Sequence, residues 1–447
     1  MRGPLTSRSV GHPAQLVVAG FAATILVGTL VLLMPFATAG PGNAPVWTAL
    51  FSSVASVTLG GMAIVDTSTY WSPAGQVVIL VLVQLGGLGI VTSASLLFLV
   101  VARRVGLRGR LAAQTELHTV DLGSTRKLLI AIIGFSLAFQ AITVIALTAR
   151  LWLGTDLGFG QAAWNGLFHG VAAFNNAGLS IFPGGLTSFA DDPWVLGTIA
   201  IAVIAGGLGF PVWLELLRPT PPPGLSLHTK LTLVTTAALL AFGTIAVTAL
   251  EWRNPATLGA LSGADRLVAG IFSGVMPRTA GFNVIDYGQA EPDTVLVTEM
   301  LMFAGGGSGS VAGGIKVTTF ALLFLIVWAE VRGDPEVTAF RRRIPTTVQR
   351  QALTIAVLAV NAVVIGTLLV MATNDIEFLD ALFECVAAFT TAGLSTGVTA
   401  GLNGFGQGVL IVLMFLGRVG PLTLGVALVL RERERLYTHP EERPLVG

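Results

Sequence analysis

The chain has 447 residues, 53% of them hydrophobic and 11% charged, with a formal net charge of +1. A soluble globular protein carries about 25% charged residues, so this composition excludes an ordinary soluble enzyme, a disordered chain and a nucleic-acid binder. The single cysteine, Cys385, excludes an intrachain disulfide.

About 20 apolar residues cross a hydrocarbon core, and runs of that length recur. The first, from about Ala14 to Phe36, follows Arg2 and Arg8 as in a signal peptide. It is too long for a signal h-region and no small-residue cleavage site follows, so it reads as a retained span. Further runs lie at roughly 75–101, 128–153, 194–217, 228–252, 294–330, 345–373 and 406–430, the one at 294–330 broken by glycine and serine. Within each successive pair lies a shorter, less apolar segment, at 47–62, 164–180, 267–283 and 378–395. These cannot cross and read as re-entrant helices. The expected fold is an all-α membrane protein with eight transmembrane helices.

Charge orients it. Nineteen of the 25 basic residues fall in one set of loops and at the termini, including 103–127, 332–350 and the polar tail 431–447. Fourteen of the 24 acids, Glu299 and Glu384 among them, fall in the opposite set. The basic side is cytoplasmic by the positive-inside rule, which places both termini inside. The acidic outer face concentrates cations. The basic loops suit a partner or anionic lipid.

The short segments align with one another. Each runs into a small or polar quartet ending in glycine: Thr58-Leu59-Gly60-Gly61, Asn175-Asn176-Ala177-Gly178, Arg278-Thr279-Ala280-Gly281 and Thr390-Thr391-Ala392-Gly393. Successive terminal glycines are 117, 103 and 112 residues apart. The helix after each quartet also repeats, with glycines at 86–89, 206–209, 305–314 and 417–420. The unit is helix, re-entrant helix, quartet, helix, over 1–110, 111–222, 223–343 and 344–430. One such quartet alone would read as helix packing. Four parallel copies predict a pseudo-fourfold pore, because irregular backbone at membrane depth is tolerated where it lines a cavity. Four glycine-containing strands can then offer rings of carbonyl oxygens to a monovalent cation.

Two features read as gate elements. Arg418 sits mid-helix, where a charge costs roughly 2.5–3.5 kcal/mol or more; its counterparts are Gly87, Gly207 and, in the third unit, Gly307. The stretch Gly305-Gly306-Gly307-Ser308-Gly309-Ser310, continuing through Gly313 and Gly314 to Lys316, is too poor in side chains to stay helical. It reads as an intramembrane loop, and no strand precedes it as nucleotide binding would need. Arg278 reads either as an interface residue or as a brace reaching acids such as Asp265 or Asp286. His169 and Cys385 read as packing, and Asp191-Asp192 as solvated. No catalytic constellation emerges, so the chain is not read as an enzyme. A secondary cation or solute symporter with broken helices is the rival, but that class usually shows inverted repeats.

These motifs resemble the Trk/Ktr/HKT superfamily of potassium transporters over nearly the whole chain. The carrying residues are Asn175 to Gly178, Arg278 to Asn283, Gly305 to Ser310 with Ala312 to Lys316, and Gly417 to Pro421. The absence of two extra leading helices makes the chain similar to KtrB-type subunits. The resemblance implies potassium in the pore, no covalently bound cofactor, and sodium as an activator. It also implies a homodimer in the cytoplasmic membrane on a KtrA-type ring that binds nucleotide, with the tail packed at the dimer interface. It assigns the four quartets to the filter, and the glycine stretch and Arg418 to the gate. One departure is Gly60, where many relatives carry Thr or Ser.

Overall fold

The computed structural model describes residues 13–104, 125–218 and 224–430. The tail at 431–447 and most of the basic loop at 103–127 lie outside the described residues. The chain is almost wholly helical. Its helices are α1 (Pro13–Leu32), α2 (Val46–Thr58), α3 (Pro73–Arg104), α4 (Thr125–Gly154), α5 (Phe159–Phe174), α6 (Pro193–Leu208) and α7 (Phe210–Leu216). There follow α8 (Leu227–Glu251), α9 (Gly263–Val275), α10 (Pro292–Phe303), α11 (Val317–Arg332), α12 (Thr346–Thr373), α13 (Phe378–Thr390) and α14 (Gly404–Leu430). A two-stranded hairpin, β1 (Thr338–Ala339) and β2 (Arg342–Arg343), joins α11 to α12. Among the described residues five helices are long and apolar enough to cross a membrane, or six if the bent pair α6–α7 counts as one.

Local chemistry sets the helix ends. Asp192 accepts hydrogen bonds from the N–H groups of Trp194 and Val195 and so starts α6, with Pro193 at its first position. Ser226 starts α8 by accepting from Thr229 N–H. The expected straight segment at 194–217 is instead bent by 96°. Gly209 takes φ +93° and Pro211 follows, so the helix cannot continue. The indole of Trp213 bridges the break to Ala205 O at 2.8 Å. Asp192 is not a free solvated acid, because Arg150 Nε meets it at 2.9 Å. Glu299 and Glu384 are not loop acids either; they lie buried within α10 and α13.

Packing closes the molecule on itself. Each short helix packs on the long helix before it, as α1 on α2, α4 on α5, α8 on α9 and α12 on α13. Each short helix also touches the helix that follows the previous one: α3 meets α5, α6 meets α9, α10 meets α13, and α14 returns to α2. Fully buried Phe51, Phe168, Phe272 and Phe383 sit one on each short helix and anchor it in the shared core.

Candidate functional site

The four quartets meet at the centre of this closed arrangement. Each has the same backbone: a left-handed residue, one intervening residue, then a left-handed glycine. The pairs are Leu59 and Gly61, Asn176 and Gly178, Thr279 and Gly281, and Thr391 and Gly393, with φ between +52° and +81°. Glycine adopts such φ values freely, but the first member of each pair is a non-glycine residue held left-handed at a cost of about 1–2 kcal/mol. Residues held in such regions persist where surrounding structure over-determines them and cluster at functional sites.

The glycines form a ring. A Cβ placed on Gly61 would lie 2.9 Å from the carbonyl oxygen of Ala177, and one on Gly178 would lie 2.9 Å from that of Ala280. A Cβ on Gly281 would lie 2.8 Å from Ala392 O, and one on Gly393 would lie 3.1 Å from Gly60 O. Each glycine thus faces the carbonyl that precedes the glycine of the next quartet, and the cycle closes. No larger residue fits without moving backbone. Around the cycle the second quartet stands opposite the fourth.

The side chain of the first residue in three of the quartets turns back onto its own helix. Thr58 Oγ1 donates to Val54 O, Asn175 Nδ2 to Val171 O and Thr390 Oγ1 to Val386 O, each four residues back, at 2.7, 2.9 and 2.7 Å. These side chains seal the helix ends rather than face the ring. Asn175 also donates to Gln84 at 2.9 Å. Arg278 departs from the pattern. It is 6% exposed and reaches the carbonyls of Thr236 at 3.2 Å and Gly305 at 2.9 Å. The expected bracing through Asp265 or Asp286 does not occur: Asp265 accepts from Ser262 and Asp286 from Gly288 N–H.

Gly60, the departure in the first quartet, has a structural counterpart that sequence reasoning missed. The space a side chain would fill there is taken by Met414 of α14. Thioethers fill irregular gaps of this kind.

The helices after the quartets approach through glycine. Gly86, Gly206 and Gly417 each press against the carbonyl four residues before the ring glycine, that of Val57, Phe174 and Phe389. Each lies thirteen residues after the start of its helix, and the same count from Pro292 reaches Gly305, two residues beyond the end of α10. By that count Arg418 aligns with Gly87, Gly207 and Gly306.

Residues 304–316 leave the helix as a loop, as expected. It is stitched back on itself by Gly305 N–H to Ile315 O at 2.8 Å and Val317 N–H to Gly306 O at 2.9 Å. Gly307 N–H bonds Gly207 O at 2.8 Å, and Phe210 N–H bonds Gly309 O at 3.2 Å. At its other end Gly313 and Gly314 lie against Thr390 and Thr391. The loop therefore links α6 and α7 of the second unit to the fourth quartet, on the side where α13 ends. Ser310 Oγ accepts from Ala312 N–H at 3.2 Å, and Ser308 O lies against Gly209.

Arg418, 3% exposed, donates to Val311 O at the middle of this loop, and Lys316 Nζ donates to Ala312 O at 2.6 Å. Among the described residues the ion pairs are Arg150–Asp192 and Arg343–Glu336, so neither Arg418 nor Arg278 meets an acid. Their buried charges rest on carbonyl dipoles alone. The arrangement can present partial negative charge in a ring and positive charge beneath it.

The chain matches known proteins over nearly its whole length. The TrkH family model, described as cation transport protein, matches residues 6–437. Ktr system potassium uptake protein B of Bacillus subtilis (strain 168) is 38% identical, over 97% of each chain. The protein of the same name from Vibrio alginolyticus is 34% identical, over 98% of this chain and 96% of that one. Potassium/sodium uptake protein NtpJ of Enterococcus hirae is 32% identical, over 97% of each. The crystal structure of the potassium transporter TrkH from Vibrio parahaemolyticus superposes with a TM-score of 0.73 over 96% of this chain and 87% of that one. At 18% identity that likeness speaks for the fold.

Proposed function

The chain belongs to the TrkH family of cation transport proteins, and on that premise we propose that it takes up potassium through a gated, channel-like pore. One observation carries the proposal: four glycines, each facing the preceding carbonyl of the next quartet, closed in a cycle. Such oxygens can replace the hydration shell of a monovalent cation. The filter is then the left-handed residue, the intervening residue and the glycine of each quartet, with Thr58, Asn175, Arg278 and Thr390 holding the helix ends behind it. Eight spans in four parallel units surround it, at 1–110, 111–222, 223–343 and 344–430. The cyclic contacts favour a pore over an alternating-access symporter, whose units would be inverted.

The gate is the loop at 304–316 with Arg418 and Lys316. It ties α6 of the second unit to the fourth quartet and brings two cations under the ion path, which raises the barrier to passage. The basic loops face the cytoplasm, the membrane is the cytoplasmic one, and the chain works as a homodimer on a nucleotide-binding ring of KtrA type, with sodium as activator. The relatives' name, Ktr system potassium uptake protein B, implies a partner subunit; the homodimer, the nucleotide and sodium follow from the family resemblance.

Potassium-dependent growth of an uptake-deficient cell tests the transport, and rubidium flux with and without the regulatory ring tests the gating. No growth at limiting potassium, with the protein present in the membrane, would overturn the proposal. Uptake that ignores the ring in the intact chain would overturn the gating part.

A further inference from the structure

Nine residues before each ring glycine stands Ser52, His169, Phe272 or Glu384, and two residues after it stands Ala63, Ser180, Asn283 or Ser395. In the second and fourth units these two positions are hydrogen-bonded to each other. His169 is 1% exposed, and its Nδ1 lies 2.8 Å from Asn165 O. That nitrogen must carry the hydrogen, so Nε2 accepts from the Ser180 hydroxyl at 2.9 Å. Phe182 stacks on the imidazole at 4.4 Å and holds its plane. Ser180 Oγ in turn accepts from Phe182 N–H at 3.1 Å.

The fourth unit repeats the plan with a carboxylate. Glu384 is fully buried. Its Oε1 accepts from the Ser395 hydroxyl at 2.6 Å and from Thr396 N–H at 3.0 Å, and its Oε2 accepts from the Thr399 hydroxyl. Ser395 Oγ accepts from Gly397 N–H at 2.9 Å, as Ser180 accepts from Phe182. Three donors converge on this one carboxyl group, so the tie is stiff. The first and third units lack the tie. Ala63 has no hydroxyl, Phe272 has no acceptor, and Asn283 bonds forward to Ile285 O at 3.3 Å. The braced units are the two that stand opposite in the ring.

We propose that His169 and Glu384 are positioning residues that hold the chain just beyond Gly178 and Gly393, and so set the preference of the pore for potassium over sodium. The inference rests on the pore reading above and goes one step further. A left-handed glycine is the least constrained link in the filter. Beyond it the backbone of the second and fourth units is pinned through a serine to a buried acceptor on its own short helix. Pinning two opposite strands fixes the span between their carbonyls. Neither His169 nor Glu384 meets the ion; each acts through its serine.

The test uses the full chain in its own host cells stripped of other potassium uptake, with rubidium and sodium uptake measured side by side. Ser395→Ala and Glu384→Ala are each expected to lower the rubidium-to-sodium ratio about tenfold, the worth of one charge-assisted hydrogen bond. The double variant falls no further than either single one, and Ser395→Thr, which keeps the hydroxyl, keeps the ratio. Ser52→Ala, at the matching position of an unbraced unit, leaves it unchanged. If Glu384→Ala does not reach the membrane, the contrast of Ser395→Ala with Ser395→Thr carries the test. An unchanged ratio in Ser395→Ala, or an equal loss in Ser395→Thr, overturns the inference. Absence of rubidium uptake by the unaltered chain would instead overturn the pore reading beneath it.

Discussion

The four quartets and the loop at 304–316 touch at Thr390 and Thr391, yet they are built differently. The ring repeats one backbone pattern four times and is closed by backbone packed on backbone. The loop occurs once, and two buried arginines from outside it add to its backbone bonds: Arg278 at Gly305 and Arg418 at Val311. A cation in the centre needs oxygens from all sides, which favours repetition. A switch needs a contact that can be released singly, which favours a break in the repeat. The third unit carries that break, and the fourth carries the arginine that grips it.

Substitutions in the two regions should therefore fail differently. The largest effect is expected in the ring. Gly178→Ala combines a left-handed φ, which costs about 1–2 kcal/mol, with a Cβ 2.7 Å from Gly281 Cα. Rubidium uptake should fall by roughly a hundredfold or more, since about 2.7 kcal/mol suffices for that factor. Near-normal uptake would show that the ring is looser than its packing implies. In the loop the sign reverses. Arg418→Ala removes a buried cation and a charge-assisted bond of about 1.5–3 kcal/mol, and should raise uptake about tenfold. A folded variant with unchanged uptake would remove Arg418 from the gate.

Smaller effects sharpen the contrast. Gly60→Thr should clash with Met414 and destabilise the protein by about 1–3 kcal/mol, as overpacking does. Met414→Ala in the same chain should restore both thermal stability and uptake. Failure of the rescue would mean that Gly60 is needed for its backbone and not for the space. Asp192→Asn, which keeps the cap on α6 but loses the ion pair with half-exposed Arg150, should cost less than about 1 kcal/mol in a thermal melt.

Much of this was legible before any coordinates. Four short apolar segments ending in glycine at near-constant spacing announced the ring, and the glycine stretch at 305–314 announced the loop. What stayed hidden depended on contacts between distant parts. Arg278 was expected to seek an acid and found two carbonyls. Met414 occupies the place of a side chain at residue 60, and the two residues are more than 350 positions apart. The 96° bend at Gly209 lay inside an unbroken apolar run, where hydropathy carries no sign of direction. The ties from His169 and Glu384 had a signal: an acceptor nine before the glycine and a serine two after it, in two of four units. Comparing the aligned segments position by position would have found them.

The sequence alone determined that this chain carries several apolar runs of membrane-spanning length and which short segments end in irregular, glycine-containing backbone. Hydropathy and glycine spacing are local properties, and the bilayer leaves few ways to satisfy them. Only the tertiary structure decided which quartets face each other and which carbonyl each buried arginine holds. It alone showed that the loop ties α6 of the second unit to the fourth quartet. Those choices depend on packing four distant stretches so closely that a Cβ added to any ring glycine would meet neighbouring backbone within 2.9 Å, and no pattern along the chain records which neighbour comes next around a closed circle.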